Sequence, residues 1–156
     1  MAYPSRPLSH QRAEPSSRAA GGRRLDESIE WADVEDDLDV VRNSKANLMV
    51  VGPECLVMKV IRRLIADVPA SIVIPCETGR LPLSRLSLPP GTLVFRDVDA
   101  LDAAGQALVI DWLESASCER QIVSTASASL LPLVDAGAFD RGLYYRLNTV
   151  YINLEQ

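Results

Sequence analysis

Histidine is nearly missing from this chain: His10 is the one copy in 156 residues. It falls in a Ser-, Pro- and Arg-rich stretch with little to bury. The remainder of the chain therefore has no Ser/His/Asp or Cys/His catalytic set and no histidine-rich metal site. Cysteine is scarce as well. Cys55, Cys76 and Cys118 are an odd number with no metal-ligand spacing, the pattern of reduced thiols in a cytoplasmic protein. No apolar run approaches the ~20 residues that cross a bilayer. The first thirty residues carry basic charge without the apolar block of a secretory signal. No internal repeat is visible.

The net charge of −5 conceals a polarity. Residues 1–24 hold Arg6, Arg12, Arg18, Arg23 and Arg24 against Glu14. This leader offers almost nothing to bury and is expected to be disordered. It has no dense basic block and no aromatic beyond Tyr3. It reads as a linker rather than a nucleic-acid arm, which would show a steep salt dependence. Residues 25–44 are acidic. Leu25–Val41 is expected to be a surface helix, with Ile29, Val34, Leu38 and Val41 inward and Trp31 among its apolar residues. Its acids form a solvated face. They also suit a lure for a basic partner, or a clamp for the chain's own arginine leader.

From residue 45 the apolar pattern alternates between buried strands and amphipathic helices. Strands are expected at Asn47–Val51, Ser71–Ile74, Thr92–Phe95, Gln121–Thr125 and Thr149–Asn153. Helices are expected at Cys55–Val68, with Val57, Val60, Ile61, Leu64 and Ile65 inward, and at Ala103–Ala116, with Ala104, Leu108, Trp112 and Leu113 inward. A short helix at Ser129–Ala136 and a helical turn at Asp140–Arg146 follow. Pro75–Pro90 is a proline-punctuated loop. Alternation at this spacing gives an α/β fold: a three-layer, parallel, five-stranded sheet with right-handed crossovers. In such sheets ligands sit at the carboxyl ends of the strands. The abrupt exit of Thr92–Phe95 into Arg96, Asp97 and Asp99 is thus the first place to look for chemistry. The plainer reading of Asp97 and Asp99 is helix capping or a solvated strand end.

The strand ending at Gly52 invites comparison with a phosphate loop, but its chemistry is wrong. Such a loop needs inward backbone N–H groups, then a lysine and a hydroxyl. Here Pro53 removes a donor, Glu54 adds a repelling charge, and Met58 stands where the lysine belongs. Lys59 comes one residue late, turned about 100° around the helix.

Gly137 to Asn148, GAFDRGLYYRLN, resembles the G-x-F-R-x-D-L-Y-Y-R-L-N signature of the sigma-54 interaction domain. That domain is the AAA+ ATPase module of bacterial enhancer-binding transcription activators. Gly91–Leu101, GTLVFRDVDAL, is similar to the family's GTLFLDEIDxL Walker B strand. Ala103–Glu114 matches the helix after it, and Gln121–Ser127 is similar to the sensor strand. The resemblance covers roughly residues 46–154. It implies a P-loop NTPase sheet of AAA+ type without a lid subdomain.

The departures fall on the working parts. The family's magnesium-holding Walker B Asp aligns with Arg96, and its catalytic Glu with Asp97. A cation about 4 Å from a divalent metal costs on the order of several kcal/mol. Arg96 can instead pair with a phosphate, which leaves metal-free ATP binding open. The sensor Asn aligns with Ser127. Of two arginine-finger positions, the first is Asp140 and Arg146 occupies the second, with Arg141 beside the lost one. The loop between Cys76 and Gly91 is too short for the family's sigma-gripping insertion. The lid and the helix-turn-helix domain are not expected, so DNA binding is not either.

The resemblance therefore implies a degenerate AAA+ domain, a pseudo-ATPase with no cofactor, serving as a regulatory or protein-interaction module in bacterial transcription. Expected partners are a transcription activator, a sigma factor or a second copy, with no membrane involved. The alternative is a residual ATP-binding domain of a sigma-54-dependent regulator, with Gly52, Asp97 and Arg146 as its nucleotide remnant. Phe139, Arg141, Tyr144, Tyr145 and Arg146 form the candidate interaction surface. The plainer reading is that Phe139, Tyr144, Tyr145 and Leu147 pack the last strand against the sheet, while Arg146 pairs with Asp140 or Glu155.

Overall fold

A computed structural model describes residues 29–66, 68, 71–76, 81, 91–115 and 120–155. The arginine leader, nearly all of the proline-punctuated loop, and Cys118 lie outside these residues.

The order of elements is α1 (Trp31–Ser44), β1 (Leu48–Val51), α2 (Glu54–Ala66), β2 (Ser71–Pro75), β3 (Thr92–Arg96), a 3₁₀ turn (Val98–Ala100), α3 (Ala103–Ser115), β4 (Gln121–Ala126), α4 (Leu131–Asp135), α5 (Arg141–Leu147) and β5 (Val150–Asn153). The strands form one parallel sheet in the order β2-β3-β4-β1-β5. The three inner strands are buried almost throughout, because helices cover both faces.

Strand alternation divides the core in two. Leu48, Val50, Val94, Val123 and Ile152 meet α1 and α2. Met49, Val51, Leu93, Phe95 and Ile122 meet α3 and the α4–α5 segment. Burying both sets is the main stabilisation of the sheet, at roughly 25 cal/mol per Å² of apolar surface.

The expected α/β sandwich is present, with corrections at particular elements. The first helix runs past Val41 to Ser44, where Lys45 turns left-handed (φ 57°) and donates its N–H to the Val41 carbonyl. Val34, Leu38 and Val41 are buried as the spacing requires. Trp31 is half-buried beneath the Arg63 guanidinium, 4.3 Å from its ring centre. Lys59 lies over the same ring at 5.9 Å, so the late lysine of the β1–α2 segment is turned toward α1. In α2 the buried stripe is joined by Leu56.

The face of α3 is turned from its expected position. Ala104 and Leu108 are exposed, whereas Gln106 and Val109 are buried. Gln106 fixes this rotation. Its amide nitrogen donates to the carbonyls of Leu101 (3.0 Å) and Ala138 (2.9 Å), and its oxygen accepts from the Asp140 N–H (2.8 Å). A polar side chain held by three bonds on one face overrides an ambiguous apolar stripe. The cap of α3 is Asp102, which accepts from the Gly105 N–H at 2.7 Å, and not Asp97 or Asp99.

Among the described residues no helix is long and apolar enough to cross a membrane.

Candidate functional site

A parallel sheet presents all its carboxyl ends along one edge. Here β1 delivers Gly52 and Glu54 to that edge, β3 delivers Arg96, Asp97 and Asp99, and β4 delivers Thr125 and Ser127. These seven residues are the candidate site.

Gly52 is held open by packing. Its φ is 140°, and a Cβ built there would stand 2.8 Å from the Leu154 Cβ and 3.0 Å from the Leu154 carbonyl carbon. Its N–H donates to the Ala126 carbonyl at 3.1 Å, and Leu154 N–H donates to the Val51 carbonyl at 2.7 Å. The glycine thus lets the chain leaving β5 press against the end of β1, and its N–H is directed into the sheet.

Arg96 is the centre of charge. Its guanidinium meets the Glu54 carboxylate at 2.5 Å and the neighbouring Asp97 carboxylate at 3.3 Å. The register places Arg96 opposite Pro75 of β2, so it is still on the strand rather than in the exit. Asp97 follows with φ 60°, a left-handed conformation uncommon outside glycine, asparagine and aspartate. Its N–H donates to Thr125 Oγ1 at 3.0 Å, which anchors the turn to β4. Its side chain caps nothing. Burial pushes the Asp97 carboxyl above its ordinary range; Arg96 pulls against this, while Asp99 and Glu54 add to it.

Asp99 reaches across to β4. Its Oδ2 accepts from the Ser127 hydroxyl at 2.6 Å, so the end of β4 is tied to the β3 exit. Asp99 Oδ1 is buried with no hydrogen-bond partner among the described residues. Beneath the site Cys76 is buried, and its thiol is pushed up to about 12 by burial and then by the charges of Asp97 and Asp99. No cluster of three metal-ligating side chains occurs among the described residues.

The structure does not bring Arg146 to this edge. Its guanidinium meets Glu114, in the last turn of α3, at 3.2 Å, in place of the expected Asp140 or Glu155. Its carbonyl accepts from Asn47, which precedes β1. Arg146 therefore lies at the amino edge of the sheet, while Gly52 and Asp97 share the carboxyl edge. Asp140 is the N-cap of α5, accepting from the Leu143 N–H at 2.7 Å.

Of the aromatic string, Phe139 and Tyr144 are buried with Leu143 and Leu147, as packing requires. Tyr145 departs from that expectation: it is 65% exposed and only edges Tyr144, with ring centres 5.4 Å apart. The outward face of α5 is Arg141, Tyr145 and Arg146. Phe139 and Tyr144 lie beneath it. Sequence reasoning missed Thr125 and the meeting of Glu54 with Arg96. Opposite charges just beyond two strand ends that share an edge were the available signal.

Residues 25–156 match the sigma-54 interaction domain family. The chain belongs to that family. Over 75 residues it is 35% identical to the probable regulatory protein HrpR of a Pseudomonas syringae pathogenicity locus, covering 41% of this chain and 24% of HrpR. The chain thus spans about a quarter of that relative's length. Its fold is that of NtrX from Brucella abortus, solved with ATP: the TM-score is 0.63 at 16% identity, covering 82% of this chain and 37% of NtrX. It is also that of the P-loop NTPase domain of a sigma-54 activator from E. coli, with TM-score 0.58 at 17% identity, covering 80% of this chain and 96% of that one. The sheet is accordingly of P-loop NTPase type, and the family is that of transcriptional activators built on an AAA+ ATPase-like module.

Proposed function

We propose that this sigma-54 interaction domain acts in transcription regulation through protein contact, without hydrolysing ATP. The observation that carries this reading is the Glu54–Arg96–Asp97 chain of charge across the carboxyl edge. Phosphoryl transfer is mostly positioning and charge stabilisation. A magnesium-bound triphosphate needs inward N–H donors beside β1 and a carboxylate on β3. Here the Gly52 N–H is committed to Ala126, Pro53 has none, Glu54 repels phosphate, and a guanidinium stands in the metal carboxylate's place. The residues present do not suit that ligand.

The contact surface in this reading is the outward face of α5, with Arg141, Tyr145 and Arg146. An exposed tyrosine between two arginines fits the composition of interface anchors. Its partner is a transcription activator, a sigma factor with its polymerase, or a second copy of the chain.

Equilibrium titration of the full chain with labelled ATP, with and without magnesium, tests the first half. The expected result is no saturable magnesium-dependent binding and phosphate release at background. Tight magnesium-dependent binding that disappears in Asp97→Ala overturns it in favour of a residual ATP site. Tyr145→Ala with Arg146→Ala tests the second half: capture of polymerase, a sigma factor or an activator from bacterial cytoplasm should fall while the thermal midpoint stays unchanged.

A further inference from the structure

A concavity lies between the first half of α1 and the end of β5, beside the carboxyl edge cluster, with Leu154 lining it and packing against Gly52. It is a groove of about 270 Å³. Its floor is apolar: Val34, Ile152 and Leu154 line it, each at most 6% exposed. Its rim is acidic. Glu30, Asp33 and Asp37 project from the α1 side and Glu155 from the β5 side, and among the described residues no lysine or arginine lines it.

The two sides of α1 differ in how their carboxylates are treated. Glu35 and Asp39 face the α2 side and are both met by Arg42, with Arg63 also 3.8 Å from Glu35. None of the four groove carboxylates is paired with a cation among the described residues. Four like charges converging on an apolar trough repel one another, and an occupant with positive charge removes that cost.

The chain carries such an occupant. Residues 1–24 hold five arginines against one glutamate. The described chain begins at Ile29, which is itself part of the groove's lining. An extended chain spans about 3.3 Å per residue, so Arg24 lies within ~17 Å of Ile29 and Arg18 within ~36 Å. Asp33 to Asp37 is one helical turn, about 6 Å of α1. The arginines at 18, 23 and 24 can therefore fold back over the rim. A tether this short gives an effective concentration in the millimolar range, so weak individual contacts suffice.

We propose that the chain's own arginine leader docks in the α1–β5 groove, its guanidinium groups on the rim carboxylates and its aliphatic stems over the apolar floor. The contact is intramolecular. It holds the leader against the acidic face and shields that face from other basic segments.

Trypsin cleavage of the full chain after Arg18, Arg23 and Arg24 tests this, read by mass spectrometry and normalised to the free peptide of residues 1–28. In low salt the leader should be protected. Asp33→Lys with Asp37→Lys should speed cleavage at least about tenfold, as should 0.5 M salt on the unaltered chain. Both aspartates are exposed, so the fold should persist, which circular dichroism checks. Glu155→Lys, on a different segment, should give acceleration in the same direction. Equal normalised rates in all these conditions overturn the proposal. Protection that rises with protein concentration also overturns it, assigning the groove to the leader of a second copy.

Discussion

Arg96 and Glu54, 42 positions apart in sequence, meet at 2.5 Å across the carboxyl edge of the sheet. In this chain the end of β3 carries a cation, the segment after β1 carries an anion, and the two meet. A cation at the end of β3 is tolerated because Glu54 and Asp97 share it, and Glu54 near β1 is tolerated because Arg96 meets it. The Arg96 side chain is 39% exposed and that of Glu54 69%, so solvent screens the pair and it stabilises the fold by less than about 1 kcal/mol. Its consequence is electrostatic occupancy of the site.

That relationship makes Asp97 a reporter. Arg96 opposes the upward shift that burial imposes on the Asp97 carboxyl. Arg96→Ala should therefore move the Asp97 titration further up, while the denaturation midpoint changes little. A carboxyl-carbon NMR titration reads the first and urea unfolding the second. An unmoved Asp97 titration removes Arg96 from the site's electrostatics.

Asp97 should also leave a pH signature of definite sign. Its folded-state pKa lies above the ordinary 3.8, so the folded chain holds the proton more tightly than the unfolded one. The ionised form is then the costly one, and the cost disappears as pH falls through the folded value toward 3.8. Asp97→Asn should raise stability near neutral pH. The pH-dependent part of that gain should vanish on acidification, leaving only asparagine's ease in a left-handed turn. Parallel urea midpoints from pH 3 to pH 7 for the two chains would contradict this.

Gly52→Ala separates a structural glycine from a ligand-cradling one. Its φ of 140° disfavours any side chain, and the new methyl would meet Leu154 backbone at 3.0 Å. The expected loss is about 2–4 kcal/mol without any ligand present, read from the urea midpoint at unchanged slope. A neutral outcome would mean that the β1 and β5 exits can separate freely.

The sheet was legible in the sequence because the inner strands are continuous apolar runs: Leu48–Val51 and Thr92–Phe95 permit no other placement in a chain alternating with helices. The motif Gly137–Asn148 was legible as a family mark, and burial of Phe139, Leu143, Tyr144 and Leu147 supplies its packing reason. The orientation of α3 was not legible. Ala103–Leu113 is apolar nearly all round, so several stripes fit, and the choice is made by Gln106 bonding to segments 32 and 34 residues away. The site's electrostatics were half legible. Glu54 and Arg96 each stood out, but their pairing depends on strand order, which local pattern does not contain. Arg146 could be assigned a motif position but not an edge of the sheet, because Asn47 and Glu114, which hold it, are fixed only by tertiary structure.

Cys76 and Cys55 should differ sharply toward an alkylating reagent. Cys55 is exposed in the first turn of α2, whereas Cys76 is buried beneath Asp97 with its thiol raised to about 12. The thiolate is the nucleophile, so Cys76 should label only as fast as the domain opens, while the exposed Cys55 is open to the reagent in the native chain. The same shift predicts falling stability in alkali. Above pH 9.0 the unfolded thiol ionises while the folded one does not, so stability should drop by up to about 1.4 kcal/mol per pH unit toward 12. Cys76→Ala should flatten that slope. Rapid labelling of Cys76 in the native chain would show that the floor of the site is open to solvent.

Gln106 tests how α5 is held in place. Its side chain is 5% exposed and satisfies two carbonyls and one N–H, joining α3 to the segment that presents Asp140, Arg141 and Tyr145. Gln106→Leu keeps the volume and removes all three bonds, leaving the Leu101 and Ala138 carbonyls and the Asp140 N–H without their buried partner. Each such orphan costs about 1–3 kcal/mol, less whatever water or small shifts recover. A loss of about 2–4 kcal/mol in urea unfolding is expected, with amide exchange accelerating first at residues 138–143. Gln106→Glu discriminates packing from hydrogen bonding: it preserves the shape and the acceptor for Asp140, keeps one donation when protonated and none when ionised, so it should fall between the two chains near pH 4 and be worst at neutral pH, where a buried carboxylate faces two carbonyl oxygens. If Gln106→Leu instead matches the parent in stability and exchange, the α4–α5 segment is positioned by Phe139 and Leu143 alone.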